Sequence, residues 1–149
     1  MLTIWFDMDG TIADLYAVDG WLEMLRASDP TPYLMAEPMH RMSALAKRLN
    51  NLQRKGYKLG IISWLSKTST AEYDKAVTQA KLAWLAKHLP SVDWDMIEIV
   101  PYGTPKHEVC AENFGLLFDD EEHNRDEWGW AFTPEEITRV LDTLSKLSR

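Results

Sequence analysis

Four short apolar runs along the chain predict buried β-strands. They are residues 2–6, 59–62, 96–100 and 116–118. Nearly every position in these runs is apolar, which is typical of strands that are covered on both faces in a parallel sheet. Residues 129–132 form a candidate fifth strand.

The stretches between these runs have the spacing of helices. Apolar residues recur at intervals of three and four from about His40 to Lys55, from Thr70 to His88 and after Thr133. The last stretch begins Thr-Pro-Glu-Glu, a capping box with proline at the first helical position. This alternation of strands and helices predicts an α/β fold, a Rossmann-like three-layer sandwich with a central parallel sheet.

The least regular segment, residues 14–38, interrupts the alternation after the first strand. The sequence Asp-Pro-Thr-Pro at residues 29–32 marks a break in its middle. We expect a minimal cap insertion here, within a single domain that spans residues 1–149.

Charge and composition narrow the classes of function. The net charge of −7 opposes binding along a nucleic-acid backbone, so we expect no stable nucleic-acid partner. The single cysteine, Cys110, allows no internal disulfide, and with no signal-peptide pattern at the N-terminus this favours a cytoplasmic location. No apolar run approaches the ~18 residues of a membrane helix, so no membrane contact is expected.

Polar residues follow each of the four predicted strands. In order along the chain they are Asp7 with Asp9, Ser63, Lys106, and Asp119 with Asp120. Ligands of open α/β sheets bind outside the carboxyl ends of the strands, so these side chains are expected to meet. Paired carboxylates suit Mg²⁺ and can divide attack from proton transfer, while a hydroxyl and a lysine suit a phosphate. The pattern predicts a metal and phosphate site.

Several other interpretations of the first acid pair fit the sequence less well. Asp9-Gly10 is typical of a β-hairpin turn, but the segment after it does not have the sequence pattern of a strand. A calcium loop needs its glycine at position 6, whereas Gly10 stands at position 4. A receiver-type phosphoacceptor domain would need an aspartate at the end of a middle strand. A non-catalytic interaction module on the same scaffold stays open.

With these residues in this order, the chain resembles the haloacid dehalogenase-like (HAD) superfamily of phosphohydrolases. Asp7-Met-Asp-Gly-Thr11 is similar to its first motif, and Ser63, Lys106 and Asp119-Asp120 are similar to the other three. A narrower resemblance, to the 5'(3')-deoxyribonucleotidase branch, rests on Ala13-Asp14, Lys81-Leu-Ala-Trp84 and Leu116-Leu-Phe-Asp-Asp120.

The resemblance implies a Mg²⁺-dependent phosphomonoesterase that works through an aspartyl-phosphate. Asp7 would attack phosphorus, and Asp9 would protonate the leaving oxygen and later accept a proton from water. The remaining implied roles are metal ligation by Asp7, Asp9 through its backbone carbonyl, Asp119 and, through water, Asp120, and phosphate binding by Gly10, Thr11, Ser63 and Lys106.

Three further residues are candidates for the substrate pocket: Trp64, His107 and Asn124. An aromatic ring beside Ser63 could stack on a base, which favours nucleoside monophosphates as substrates. The alternatives are another small phosphoester or a phosphorylated polymer end. A cap of this size leaves the site open, and a second protomer in a homodimer is one way to complete the lid.

Overall fold

A computed structural model describes residues 2–67 and 69–148. The helices are α1 (Trp21–Arg26), α2 (Thr31–Met35), α3 (Met42–Arg54), α4 (Ala71–His88), α5 (Lys106–Val109), α6 (Glu122–Trp128) and α7 (Ile137–Leu147). The strands are β1 (Thr3–Phe6), β2 (Ala13–Asp14), β3 (Glu37–Pro38), β4 (Lys58–Trp64), β5 (Met96–Val100), β6 (Gly115–Phe118) and β7 (Ala131–Phe132).

Five of the strands form one parallel sheet in the order β5-β4-β1-β6-β7. β1 is central and every residue in it is buried, which is why Ile4, Trp5 and Phe6 are apolar without alternation. The predicted Rossmann-like α/β sandwich is therefore confirmed. The predicted second strand is longer than expected, because Ser63 and Trp64 continue the pairing of β4 with β5.

The two faces of the sheet pack against different helices. Ile4 and Phe6 face a core shared with α3, α4 and α7, whereas Trp5 faces Cys110 and Trp128 on the opposite side. Gly60 on β4 leaves room for the Trp5 ring, because a Cβ at that position would collide with it. The side chains of β1 thus pack into the core on both faces of the sheet, and this packing fixes the position of the loop that follows β1.

Residues 13–38 leave the sheet and return to it through a two-stranded antiparallel pair. Ala13 pairs with Pro38 and Asp14 with Glu37, and α1 and α2 lie between these two strands. Tyr33 and Leu15 of this segment pack with Val77 and Ala80 of α4 in a separate apolar cluster. The segment predicted as a cap is therefore anchored both at its base and on a core helix. No helix among residues 2–67 and 69–148 is long and apolar enough to cross a membrane.

Candidate active site

A cavity of about 440 Å³ opens at the carboxyl edge of the sheet, between the strand ends and residues 13–38. Its floor holds Asp7, Asp9, Lys106, Asp119 and Asp120. Asp7 and Asp9 follow β1, Asp119 and Asp120 follow β6, and Lys106 begins α5 after β5, so it is the parallel sheet that brings them together. Parallel strands deliver their C-terminal residues to one edge, as expected for a ligand site of this fold class.

Asp7 is buried and held on both of its carboxylate oxygens. Lys106 Nζ donates to Asp7 Oδ1 at 2.9 Å, and Thr11 Oγ1 donates to Asp7 Oδ2 at 3.0 Å. Its backbone N–H bonds to Phe118 O at 2.9 Å, which continues the β1–β6 pairing by one residue. The Asp7 carboxylate therefore has a fixed position, which a nucleophile requires for in-line attack.

Lys106 also binds Asp119 and so bridges two acids. Its Nζ donates to Asp119 Oδ2 at 2.7 Å, and its side chain is only 3% exposed. Burial lowers the pKa of Lys106, but the charges of Asp7 and Asp119 and their hydrogen bonds outweigh it, and the net pKa is raised. Lys106 is therefore a permanent positive charge beneath the cavity.

The second acid pair carries more negative charge than Lys106 balances. Burial, followed by repulsion from Asp7, raises the pKa of Asp119 to about 6 and that of Asp120 to about 8. Asn124 Nδ2 donates to Asp119 Oδ2 at 3.2 Å, and the backbone N–H of Glu121 donates to Asp119 Oδ1 at 2.9 Å. These neutral donors orient Asp119 but do not neutralise it.

The turn after β1 brings Gly10 and Thr11 against Asp120. Gly10 has φ of +83°, and a Cβ there would meet the Asp120 carboxylate. Thr11 Oγ1 accepts from the backbone N–H of Asp120 at 3.2 Å, and His40 Nε2 donates to the Thr11 carbonyl at 2.7 Å. Glycine is required at position 10 both for its backbone conformation and for the space that Asp120 occupies.

Asp9 does not join the other acids, because a lysine of α4 holds it. Lys81 Nζ donates to Asp9 Oδ2 at 3.0 Å and to Ser63 Oγ at 2.6 Å. Burial raises the pKa of Asp9, while the charge of Lys81 opposes that shift. A carboxyl with a raised pKa retains a proton over a wider pH range, as a general acid must.

The cavity wall above the acids is aromatic and apolar. Tyr16, Trp21 and Tyr33 come from residues 13–38, Trp64 is the last residue of β4, and Tyr102 lies in the turn after β5. The Tyr16 and Trp21 rings meet edge to face with centroids 5.1 Å apart, and the Trp64 and Tyr102 rings are tilted with centroids 5.0 Å apart. Planar apolar groups of a ligand would find stacking partners here.

The predicted site residues fall into three groups in the structure. The residues that line the cavity are Asp7, Asp9, Trp64, Lys106, Asp119, Asp120 and Asn124. Gly10, Thr11 and Ser63 are buried directly behind it, and the Ser63 hydroxyl faces Lys81. His107 is exposed and does not line the cavity. A phosphate-binding role for Ser63 stays a prediction.

Sequence reasoning missed Lys81, Tyr16 and Tyr33 as parts of the site. Lys81 carries a recognisable signal, because it lies between Val77 and Trp84 on the buried face of α4. A lysine within the apolar stripe of a helix requires a buried partner. Tyr16 and Tyr33 have no such signal, because their position depends on how residues 13–38 fold back.

Asp7, Asp119 and Asp120 are suited to hold a divalent cation. Each offers one oxygen, and these oxygens lie within 4.8 Å of one another. Burial, and after it repulsion from Asp7, raises the pKa of Asp119 and Asp120, and a bound cation would neutralise that repulsion. An all-oxygen set of this kind matches the ligands that Mg²⁺ prefers. The Asp9 carboxylate lies outside this set, because it faces Lys81.

Comparisons with known proteins agree with this architecture. No protein-family model matches the sequence, and no curated protein shows significant similarity to it. Among solved structures, the chain is similar to a Mesorhizobium loti protein (mll2559) assigned as an HAD-like phosphatase, with a TM-score of 0.60 and 15% identity over 100% of this chain and 88% of that one. It is also similar to D,D-heptose 1,7-bisphosphate phosphatase from Burkholderia thailandensis, with a TM-score of 0.53 and 15% identity over 87% of this chain and 72% of that one. At this level of identity the likeness establishes a shared fold.

Proposed function

We propose that the protein is an HAD-type phosphomonoesterase that hydrolyses its substrate through an aspartyl-phosphate. The observation that supports it most is the convergence of Asp7, Asp9, Lys106 and the Asp119–Asp120 pair on the floor of one cavity. The two similar structures, whose names describe phosphatases, agree with that chemistry.

Asp7 supplies the nucleophile in this proposal. One of its carboxylate oxygens attacks phosphorus, a P–O bond to Asp7 forms, and the ester P–O bond breaks. Lys106 beside Asp7 stabilises the negative charge on the phosphoryl oxygens, and the fixed positions of both groups remove the cost of aligning them. Water then attacks the same phosphorus, which releases phosphate and regenerates Asp7.

Asp9 moves the protons for both displacements. It gives its proton to the oxygen of the departing alcohol, and it takes a proton back from the attacking water. Burial of Asp9 raises its pKa, while Lys81 opposes that shift, and the raised pKa supports the first of these two tasks. Asp7 and Asp9 divide attack from proton transfer because each is held by a different lysine.

Mg²⁺ is the proposed cofactor, with Asp7, Asp119 and Asp120 as the residues that would hold it. When bound, the cation supplies charge neutralisation between the carboxylates and the phosphate dianion.

The cytoplasmic location and the single-domain organisation with a cap at residues 14–38 stay predictions, as does the homodimer.

The proposed substrates are nucleoside monophosphates. The aromatic side chains Tyr16, Trp21 and Trp64 around the cavity support this class, because bases stack on such rings. The cavity volume of about 440 Å³ is within the range that holds a small molecule of this size.

A comparative assay tests both the reaction and the substrate class. With Mg²⁺ present, kcat/KM for deoxynucleoside monophosphates should exceed that for sugar phosphates by about tenfold or more, since stacking of one base is worth about 1–3 kcal/mol. Ribonucleotides and 3'-phosphorylated oligonucleotides complete the panel. A Trp21→Ala variant serves as the matched control. It should lower kcat/KM for the deoxynucleotides and leave kcat/KM for the sugar phosphates unchanged.

Two results would overturn parts of the proposal. A kcat/KM for deoxynucleotides equal to or below that for sugar phosphates would exclude nucleotides as the substrate class, but it would leave the phosphatase activity supported. Absence of turnover on every ester would exclude the proposed phosphatase activity and favour a non-catalytic interaction module on this fold.

A further inference from the structure

Lys81 is a fully buried lysine that the mechanism above does not use directly. It lies on the core face of α4, with none of its surface exposed. Placing an ammonium group inside a protein is costly unless hydrogen bonds and an opposite charge compensate for it. A lysine at this position therefore needs a specific role or a complete set of partners.

The partners of Lys81 account for all three of its hydrogen-bond donors. Its Nζ donates to Asp9 Oδ2 at 3.0 Å, to Ser63 Oγ at 2.6 Å and to the Trp64 carbonyl at 2.7 Å. The ring of Tyr33 covers the ammonium group, with its centroid at 5.0 Å. Because two acceptors belong to β4 and one to the loop after β1, the ammonium group is held from different directions.

The two buried lysines divide the acids of the site between them. Lys106 binds Asp7 and Asp119, whereas Lys81 binds Asp9. Repulsion from Asp7 acts on the Asp9 carboxylate, and the ion pair with Lys81 holds that carboxylate away from the other acids. Without this pair, Asp9 would have to find its orientation by itself beside a second carboxylate.

Of the two side chains that Lys81 binds, Asp9 lines the cavity and Ser63 does not. Lys81 itself is not among the residues that line the cavity, and its surface is fully covered, whereas Asp9 lines the cavity floor. We propose that Lys81 is a positioning residue, which fixes the Asp9 carboxyl in the orientation that proton transfer to the leaving group requires. This inference rests on the proposed phosphatase function, because only that function gives Asp9 a leaving group to protonate.

The dependence of the rate on the leaving group tests this role. An alkyl phosphate needs a proton on its departing oxygen, whereas p-nitrophenyl phosphate releases an anion that is stable without one. Lys81→Met should therefore lower kcat/KM for the alkyl ester by about 10²-fold and that for the p-nitrophenyl ester by about threefold or less, in line with the usual contribution of a general acid. Lys87→Met, an exposed lysine of the same helix, should change neither value.

The comparison with Asp9 separates positioning from a general loss of structure. Asp9→Asn should show the same dependence on leaving group, and adding Lys81→Met to it should cause little further loss in kcat/KM. Equal losses on both esters, or losses that multiply in the double variant, would overturn the proposal. If Lys81→Met does not fold, Lys81→Gln carries the same test, because its amide keeps two donors and lacks the charge.

Thermal unfolding distinguishes a failure of this inference from a failure of the proposed function. The decreases in Tm caused by Lys81→Met and Asp9→Asn should not add in the double variant, since both remove one ion pair. Additive decreases would overturn the Lys81–Asp9 pairing even in an active enzyme. A wild-type protein that hydrolyses neither ester would overturn the proposed function, and with it the positioning role of Lys81 in catalysis. The Tm values would still decide whether the Lys81–Asp9 pair exists.

Discussion

Asp7→Asn should abolish turnover, with a decrease in kcat of about 10⁴-fold or more. The neutral amide cannot attack phosphorus. Within residues 2–67 and 69–148, no other carboxylate on the cavity floor is held by both a lysine and a threonine hydroxyl. The measurement is the steady-state rate with Mg²⁺ and a phosphomonoester.

The same variant should keep its fold, which separates catalysis from stability. After burial, the charge of Asp7 is the next largest cause that raises the pKa of both Asp119 and Asp120, so its removal relieves repulsion in the apo protein. We therefore expect an unchanged or higher Tm beside the lost activity. Asp126→Asn is the matched control, because Asp126 is exposed on α6 and should tolerate the change. Turnover within tenfold of wild type would exclude Asp7 as the nucleophile.

Lys106→Met should have the largest effect on stability in the absence of metal. Its side chain is 3% exposed and its Nζ bonds two carboxylates, so the change leaves both acids without their buried counter-charge. Breaking such a pair costs about 3–5 kcal/mol, which corresponds to a decrease in Tm on the order of 10 °C for a chain of this size. The decrease in kcat/KM should be about 10²–10³-fold, as for loss of one group that stabilises the transition-state charge.

Mg²⁺ should restore part of the stability lost in Lys106→Met. Without the lysine, Asp7, Asp119 and Asp120 present more uncompensated charge to a cation, so the increase in Tm on adding Mg²⁺ should be larger than in wild type. Lys87→Met provides a control for the loss of one lysine from the surface. A Tm insensitive to Mg²⁺ in both proteins would contradict the assignment of the three acids as metal ligands.

The sequence predicts the central strands β1, β4 and β6 well because they are short, mostly apolar and almost entirely buried. Residues 3–6 of β1 are all buried, so the run of apolar residues in the sequence reflects their burial directly. The end of β4 is different, because Ser63 and Trp64 extend the strand only through pairing with Ile99 and Val100. That pairing is a tertiary contact, and a local pattern of hydrophobicity does not encode it.

The sequence predicts the acids of the site and Lys106. It does not predict the residues that the segment 13–38 and α4 contribute. Asp7, Lys106 and Asp119 follow or flank strands, so topology alone brings them together. Lys81 reaches Asp9 from the middle of a long helix, across 72 positions of sequence. The stripe of apolar residues around Lys81 indicates that it is buried, but only the folded structure identifies its partners.

Trapping the covalent intermediate tests the central claim most directly. In Asp9→Asn, whose loss of proton transfer should slow hydrolysis of the intermediate, p-nitrophenyl phosphate still allows the first displacement. After an acid quench and peptide mass spectrometry, the account predicts one added phosphoryl group on the peptide that contains Asp7, removable with hydroxylamine and absent from the Asp7→Asn, Asp9→Asn double variant. Release of a first equivalent of p-nitrophenol with no phosphoryl group on the protein, or with the group on another residue, would contradict it.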